Sequence, residues 1–227
     1  YRLTSSRIED LGRDPGWDPL AVAIEAAHAR GLQLHAYMNA FSIWECGRGA
    51  PPHTTPEHPY WHLAAYNPAA MLYDPSWRAY MRINGIPTPM GDGRKDAIVC
   101  FDYVLGSPGV GRVHKHNLAV FKDIAARYAI DGLHLDRVRY PGRQYSHDPE
   151  TIAAWQSVVP PVTFEDWQRD NLSYWMARYN SEIKAIRPEA TVSAAVWFTY
   201  KKTAAINFPT SQGYCDYYQD SHRWLME

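Results

Sequence analysis

No stretch of the sequence comes near the roughly 18 to 20 consecutive apolar residues that a membrane-spanning helix requires, and no run of five basic residues occurs. The first absence leaves no membrane span. The second, with 23 Lys and Arg balanced by 24 Asp and Glu for a net charge of −1, gives nucleic acid neither a global field nor a patch to hold it. Cysteine is scarce too. Cys46, Cys100 and Cys215 stand far apart with no CxxC spacing, which argues against a zinc knuckle or a redox pair, allows at most one disulfide and leaves the compartment undecided. The sequence holds no Gly-x-Ser-x-Gly elbow and no His-Glu-x-x-His, so Ser/His/Asp hydrolysis and a helix-borne zinc centre both lack their signatures. The chain opens Tyr1-Arg2-Leu3 without an initiator Met or a signal-peptide pattern, and its ends read as cut.

Phenylalanine is also sparse, at 6 against 9 Trp and 16 Tyr. The aromatic excess lies in rings with a polar handle, which suit half-wet surfaces. Such rings fit a large core and equally a groove that stacks flat, hydroxylated ligands. With 46% hydrophobic and 21% charged residues, the composition is that of an ordinary globular domain. A single domain over 1–227 can bury a full core.

Proline punctuates the first half. Pro51, Pro52, Pro56, Pro59, Pro68, Pro75, Pro87 and Pro89 bar any long helix or central strand from about 42 to 96. That stretch reads as a long irregular insertion whose Trp and Tyr residues pack on or around a site. Helices and strands alternate on either side. Asp18-Pro19 caps and opens a helix with Leu20, Ala23, Ile24 and Ala27 on one face and Gly31 as its stop. Segments 32–39, 97–102, 132–136 and 191–198 read as strands. Ser107-Pro108 looks like the start of a second helix, with Val110, Val113, Asn117, Val120, Ile124 and Tyr128 on its inner face. Thr163-Phe164-Glu165-Asp166 resembles a capping box for a third, with Trp167, Trp175, Tyr179, Ile183 and Ile186 inward and Pro188 as its end. A last helix begins near Ser221.

Strands alternating with helices of a dozen or more residues pair in parallel through crossovers, so the fold class is α/β. Gly106-Ser107-Pro108-Gly109-Val110-Gly111 is a poor dinucleotide fingerprint, because Pro108 and the spacing break the pattern. A (β/α)8 TIM-type barrel fits better, since Asn39, Asp102, Asp136 and Trp197 collect at the C-terminal ends of successive strands. Eight strands in about 250 residues make such a barrel, and four are legible here. The barrel is therefore expected to be incomplete, with its first strand ahead of Tyr1 and its last beyond Glu227. Closure by a second copy, as a dimer, or strands too weak to read are the alternatives, and the oligomeric state stays open.

Strand alternation sends Leu133 and Leu135 toward the helices and His134 and Asp136 into the barrel. A carboxylate there is costly to desolvate unless paired, so either Arg137 or Arg139 neutralises Asp136 or it meets a substrate. The substrate is favoured. The same alternation groups His35, Tyr37 and Asn39 on one strand, and Cys100 with Asp102 on the next. A metal-dependent hydrolase built on His35, His134 and Asp136 is a weaker reading, and no cofactor is expected.

Segment 17–39, which runs Trp17-Asp18-Pro19-Leu20 through His35-Ala36-Tyr37-Met38-Asn39, resembles the opening of the glycosyl-hydrolase-like family 10 proteins, D-P-L-x-x-x-I-E-x-A-H-x-R-G-L-x-x-H-A-W-x-N. Segment 131–142 resembles the same family's D-G-[IL]-H-[FL]-D-x-x-x-Y-P-G strand, and Tyr217-Tyr218-Gln219-Asp220 with Trp224-Leu225 its later helix start. The matches span nearly the whole chain. They imply a (β/α)8 glycosidase of bacterial envelopes or secretions, extracellular or periplasmic, with some relatives acting on peptidoglycan glycan strands stripped of stem peptides. Asp136 matches the family's most characteristic carboxylate, and Asn39 and Asp102 match polar positions after neighbouring strands. Arg137 departs from members that carry a second Asp directly after the first, and the 42–96 insertion is more elaborate than the family pattern.

On that reading Asp136 is the nucleophile or stabilises oxocarbenium charge, because Arg137 and Arg139 favour its ionised form. The acid is Asp102 or a carboxyl from later strands. Tyr37, Trp44, Tyr103, Tyr140 and Trp197 are candidate sugar platforms, and Asn39, His35, His134 and Arg139 complete the substrate-binding set. A glycan-binding barrel without turnover is the competing class.

Overall fold

The computed structural model describes residues 16–45, 80–83, 86–89, 103–143, 145–206 and 211–226. Helix α1 (Pro19–His28) starts where Asp18 caps it, with Asp18 Oδ1 accepting from the N–H groups of Leu20 and Ala21 at 3.0 and 3.1 Å. Gly31 closes it at φ +67°, a left-handed conformation that costs glycine least. Strand β1 (His35–Asn39) follows.

Short strands then stand where an irregular insertion was expected. Strand β2 (Ser42–Glu45) is followed by a hairpin of β3 (Tyr80–Ile83) and β4 (Ile86–Pro89), and β2 pairs antiparallel with β5 (Tyr103–Leu105). Pro87 and Pro89 are compatible with β4 because they sit two apart, opposite Arg82 and Tyr80. They share one parity in a two-stranded ribbon, where only alternate residues must donate.

Helix α2 (Gly111–Arg127), strand β6 (Gly132–Asp136), helices α3 (Pro149–Gln156) and α4 (Phe164–Ile186), strand β7 (Thr191–Ala194), the single turn α5 (Gly213–Asp216) and helix α6 (Ser221–Met226) complete the order. Strands β1, β6 and β7 form a parallel sheet in the order β1-β6-β7, so the described fold is α/β. Among the described residues three parallel strands carry it. The pairing corrects one expectation. His35 lies opposite Gly132 and Asn39 opposite Asp136, so no strand from 97–102 lies between β1 and β6. Segment 97–101 and Asp102 lie outside the described residues, and β5, which follows them, belongs to the antiparallel ribbon.

The inner faces of α2 and α4 pack on the sheet. Leu133 and Leu135 are fully buried beneath Phe121, Leu172, Tyr179 and Ile183. Thr163 caps α4 by accepting from the Asp166 N–H at 3.1 Å while its hydroxyl donates to Asp166 Oδ2 at 2.6 Å, as the capping pattern implied. Helix α2 starts later than Ser107-Pro108 suggested. Ser107 is instead buried and donates to Asp148 Oδ2 at 2.6 Å, and Asp148 in turn caps α3 by accepting from the Thr151 N–H at 2.8 Å.

Strand β7 ends at Ala194, short of the expected 198. The fully buried Gln219 explains the stop, since its amide donates to the Ala195 carbonyl at 3.0 Å and accepts from the Trp197 N–H at 3.0 Å. A side chain thus takes over the pairing and turns Trp197 and Phe198 out of the ladder.

A buried histidine marks the α2–α4 contact. His114 stacks on Trp175 with centroids 4.5 Å apart. Its Nε2–H donates to the Pro108 carbonyl at 2.7 Å, which leaves Nδ1 to accept from the Tyr179 hydroxyl at 2.6 Å. Burial pushes its pKa down to about 3 from 6.5. The unfolded chain therefore binds a proton here that the native state refuses, and the stability that the neutral ring contributes is lost as pH falls from about 6.5 toward about 3. Denaturation midpoints measured across that window should decline with acid while the His114 resonances stay in the neutral form. A His114 ring that titrates near its ordinary value would contradict this.

Candidate active site

The β1–β6 register sets the site. Residues opposite each other in a parallel pair share a face, so His35, Tyr37 and Asn39 of β1 join His134 and Asp136 of β6 on the side away from the helices. Burial agrees, since Leu133 and Leu135 are fully covered whereas His134 and Asp136 are half-buried and Tyr37 and Asn39 exposed.

Asp136 closes β6 and stands at the rim. The Tyr37 hydroxyl donates to its Oδ2, and the Arg137 N–H donates to its Oδ1 at 2.7 Å. That second bond depends on Arg137 adopting φ 52°, a left-handed conformation that strains a residue with a Cβ. Burial alone would raise the Asp136 pKa. The Tyr37 and Arg137 hydrogen bonds, with attraction from the Arg139 and Arg137 charges, outweigh burial and hold it below the usual carboxylate value. Tyr37 in turn stacks on His134 at 5.9 Å between centroids, and His134 Nδ1 shares a hydrogen bond with Ser193 Oγ of β7 at 2.9 Å. One face of the sheet is thereby linked across all three of its strands.

Arg139 does not clasp Asp136 in a direct ion pair. Its guanidinium lies 5.2 Å from the ring centroids of both Trp197 and Tyr217. Those two rings sit 4.5 Å apart, and Phe198, stacked beyond Trp197, is 75% exposed. Together they make an aromatic and cationic wall whose charge reaches the carboxylate.

Two expected contacts are corrected. Tyr140 is fully buried, edge-on against Tyr218 and hydrogen-bonded by Asn171 Nδ2 at 3.3 Å. It offers no face to a sugar. His35 lies level with Gly132, four residues along the ladder from the Asn39–Asp136 pair, so about 13 Å from it at strand rise. Its ring covers Gly132 so closely that a Cβ there would come within 2.5 Å of it. That separation also removes the set of His35, His134 and Asp136 as a metal centre, and among the described residues no group of three or more His, Cys, Asp or Glu converges.

Asp102 lies outside the described residues, and the side chains of Trp44 and Tyr103 are likewise not described. Sequence reading missed Ser193, Tyr217 and Phe198 as neighbours of the rim. The Tyr217 motif was visible, but nothing local signals that its ring meets Arg139 from a distant segment. A separate groove of about 900 Å3 runs between α4, α6 and β7, lined by Met176, Val192, Ala194 and Trp224. Neither Asp136 nor Tyr37 lines it, so the chemistry is read from the rim.

Residues 92–227 match the family described as "Glycosyl hydrolase-like 10". The chain is 28% identical to the glycosyl hydrolase YngK of Bacillus subtilis over 229 residues, 95% of this chain and 38% of that protein. It is 25% identical to the glycosyl hydrolase DigH of Escherichia coli over 222 residues, 95% of this chain and 45% of that protein. The chain thus spans less than half the length of these relatives. Among solved structures, the α-L-fucosidase isoenzyme 2 of Paenibacillus thiaminolyticus superposes with a TM-score of 0.52 at 18% identity, covering 81% of this chain and 24% of the other. That likeness is one of fold.

Removing the Tyr37 hydroxyl tests the geometry at the rim. In Tyr37→Phe the charged form of Asp136 loses a donor, so its pKa should rise toward the ordinary carboxylate value. Carboxyl-carbon NMR of Asp136 in both proteins reads the shift. An unchanged titration would show that the hydroxyl does not hold the carboxylate.

Proposed function

Because the chain belongs to the glycosyl hydrolase-like 10 family, we propose that it forms the site-bearing part of a glycosidase in which Asp136 meets the sugar at the cleaved bond. The observation that carries this reading is the half-buried, ionised Asp136 at the end of β6, hydrogen-bonded by Tyr37 and within reach of the charge of Arg139, whose guanidinium lies against Trp197 and Tyr217. A carboxylate held below its usual pKa is a poor proton donor at neutral pH. Its role is therefore nucleophile or stabiliser of oxocarbenium charge. The Tyr37 hydroxyl fixes the orientation of Oδ2 and keeps the carboxylate ionised. Asn39, at the same level of the sheet, is placed to hydrogen-bond sugar hydroxyls, while Trp197 and Phe198 offer ring faces to a pyranose.

Protonation of the leaving oxygen needs a second carboxyl, about 5 Å away in a retaining enzyme or about 6.5 to 9.5 Å in an inverting one. Asp102 remains the sequence candidate for that acid. The surrounding architecture in this proposal is the (β/α)8 barrel, of which β1, β6 and β7 are neighbouring strands with their C-terminal ends at the active face. The substrate class is a polysaccharide, with peptidoglycan glycan strands as the first candidate. Action outside the cytoplasm is part of the same proposal.

In the full-length protein, Asp136→Asn should lower the release of new reducing ends by about 10²-fold or more while glycan binding by calorimetry persists. Retained hydrolysis would remove Asp136 from the chemistry. Binding without reducing-end release in the unmutated protein would identify a glycan-binding module instead.

A further inference from the structure

Among the described residues, none uses the charge of Arg139 in full. Its guanidinium lies against Trp197 and Tyr217, and among the described residues it makes neither a hydrogen bond nor an ion pair. Arg112, Arg143 and Arg223, by contrast, each meet a carboxylate at 3.1, 3.0 and 2.8 Å. The side chain is half-buried, and burial is the largest influence on its charged form, pulling its pKa below the ordinary value. A partly desolvated cation of this kind wants a counter-charge. Ring faces supply attraction, but they leave a planar fork of N–H donors without acceptors.

The fork sits beside the rim, where its positive charge reaches Asp136. Two flanking rings hold the side chain in place before any ligand arrives, so little rotamer freedom is left to lose on binding. We propose that Arg139 forms a subsite for a carboxylate carried by the glycan, so that the substrate is an acidic polysaccharide. This rests on the reading of Asp136 as the residue at the cleaved bond.

Three physical arguments support that substrate class. A planar guanidinium matches a carboxylate with two parallel hydrogen bonds, which a hydroxyl cannot provide. A neutral glycan covering Arg139 would strip it of water and return no acceptor of equal strength. Near an ionised Asp136, an anionic substrate also needs a cation to offset the repulsion between like charges.

Calorimetry on the full-length protein carrying Asp136→Asn, which prevents turnover, tests the subsite. The probes are stem-peptide-free peptidoglycan strands, oligouronates, the same two after amidation of their carboxyl groups, and a sulfated oligosaccharide. Carboxylated strands are expected to bind about 10- to 100-fold more tightly than their amidated counterparts, the value of a charge-assisted hydrogen-bonded pair. Adding Arg139→Gln should abolish that preference, and Arg139→Lys should restore it only in part. The comparison of probes with Arg139 intact does not depend on how well the Arg139 variants fold.

Equal affinity for carboxylated and amidated strands would overturn the proposal. So would tighter binding of the sulfated probe, which would assign the site to tetrahedral anions. Carboxylate-selective binding, with no reducing ends released by the unmutated protein, would leave the subsite standing and remove the hydrolase reading. Failure to bind any of the glycans would overturn both.

Discussion

In-register parallel pairing of β1 with β6 is the constraint on which the site depends. With Asn39 opposite Asp136 and Tyr37 opposite His134, the Tyr37 hydroxyl can reach across to the carboxylate one step ahead of it. A slip of one residue would turn Asp136 onto the face that Leu133 and Leu135 bury against the helices. The apolar side of the same strand therefore protects the chemistry on the other. Leu133 and Leu135 are fully enclosed, and exposing them would cost far more than the modest energy of any single rim contact.

The rim sets Asp136 against Arg139 and holds each by different means. Hydrogen bonds from Tyr37 and the Arg137 backbone fix Asp136, whereas ring faces hold Arg139 and leave its donors unspent. A direct bridge between the two would have consumed both groups. Their separation keeps a negative charge available to a developing oxocarbenium ion and a positive one available to a substituent of the sugar. The strained φ of Arg137 belongs to the same device, because that conformation turns its N–H onto the carboxylate.

Local pattern made much of this legible. Alternation alone assigned the two faces of 132–136 and placed His35, Tyr37 and Asn39 together, and the capping residues Asp18 and Thr163 marked real helix starts. What the sequence hid was contact between distant segments. The parity of His35 was right, but its depth in the sheet depended on which residue it faced across β6. Tyr140 lies just beyond a strand end, yet Tyr218 and Asn171 close over it from elsewhere in the chain. The early end of β7 has the same kind of cause, an amide at position 219 that replaces strand pairing. Strand order was hidden as well, because 97–102 is as apolar as a central strand although β1 and β6 pair without it.

A structure of the full-length protein with an oligosaccharide bound across the rim tests the central claim most directly. The account predicts an Asp136 carboxylate oxygen about 3 to 3.5 Å from an anomeric carbon, the near-attack distance, with the sugar ring lying toward Trp197. A glycan seated away from Asp136, or a carboxylate turned aside and clasped by a guanidinium when the sugar is bound, would contradict it.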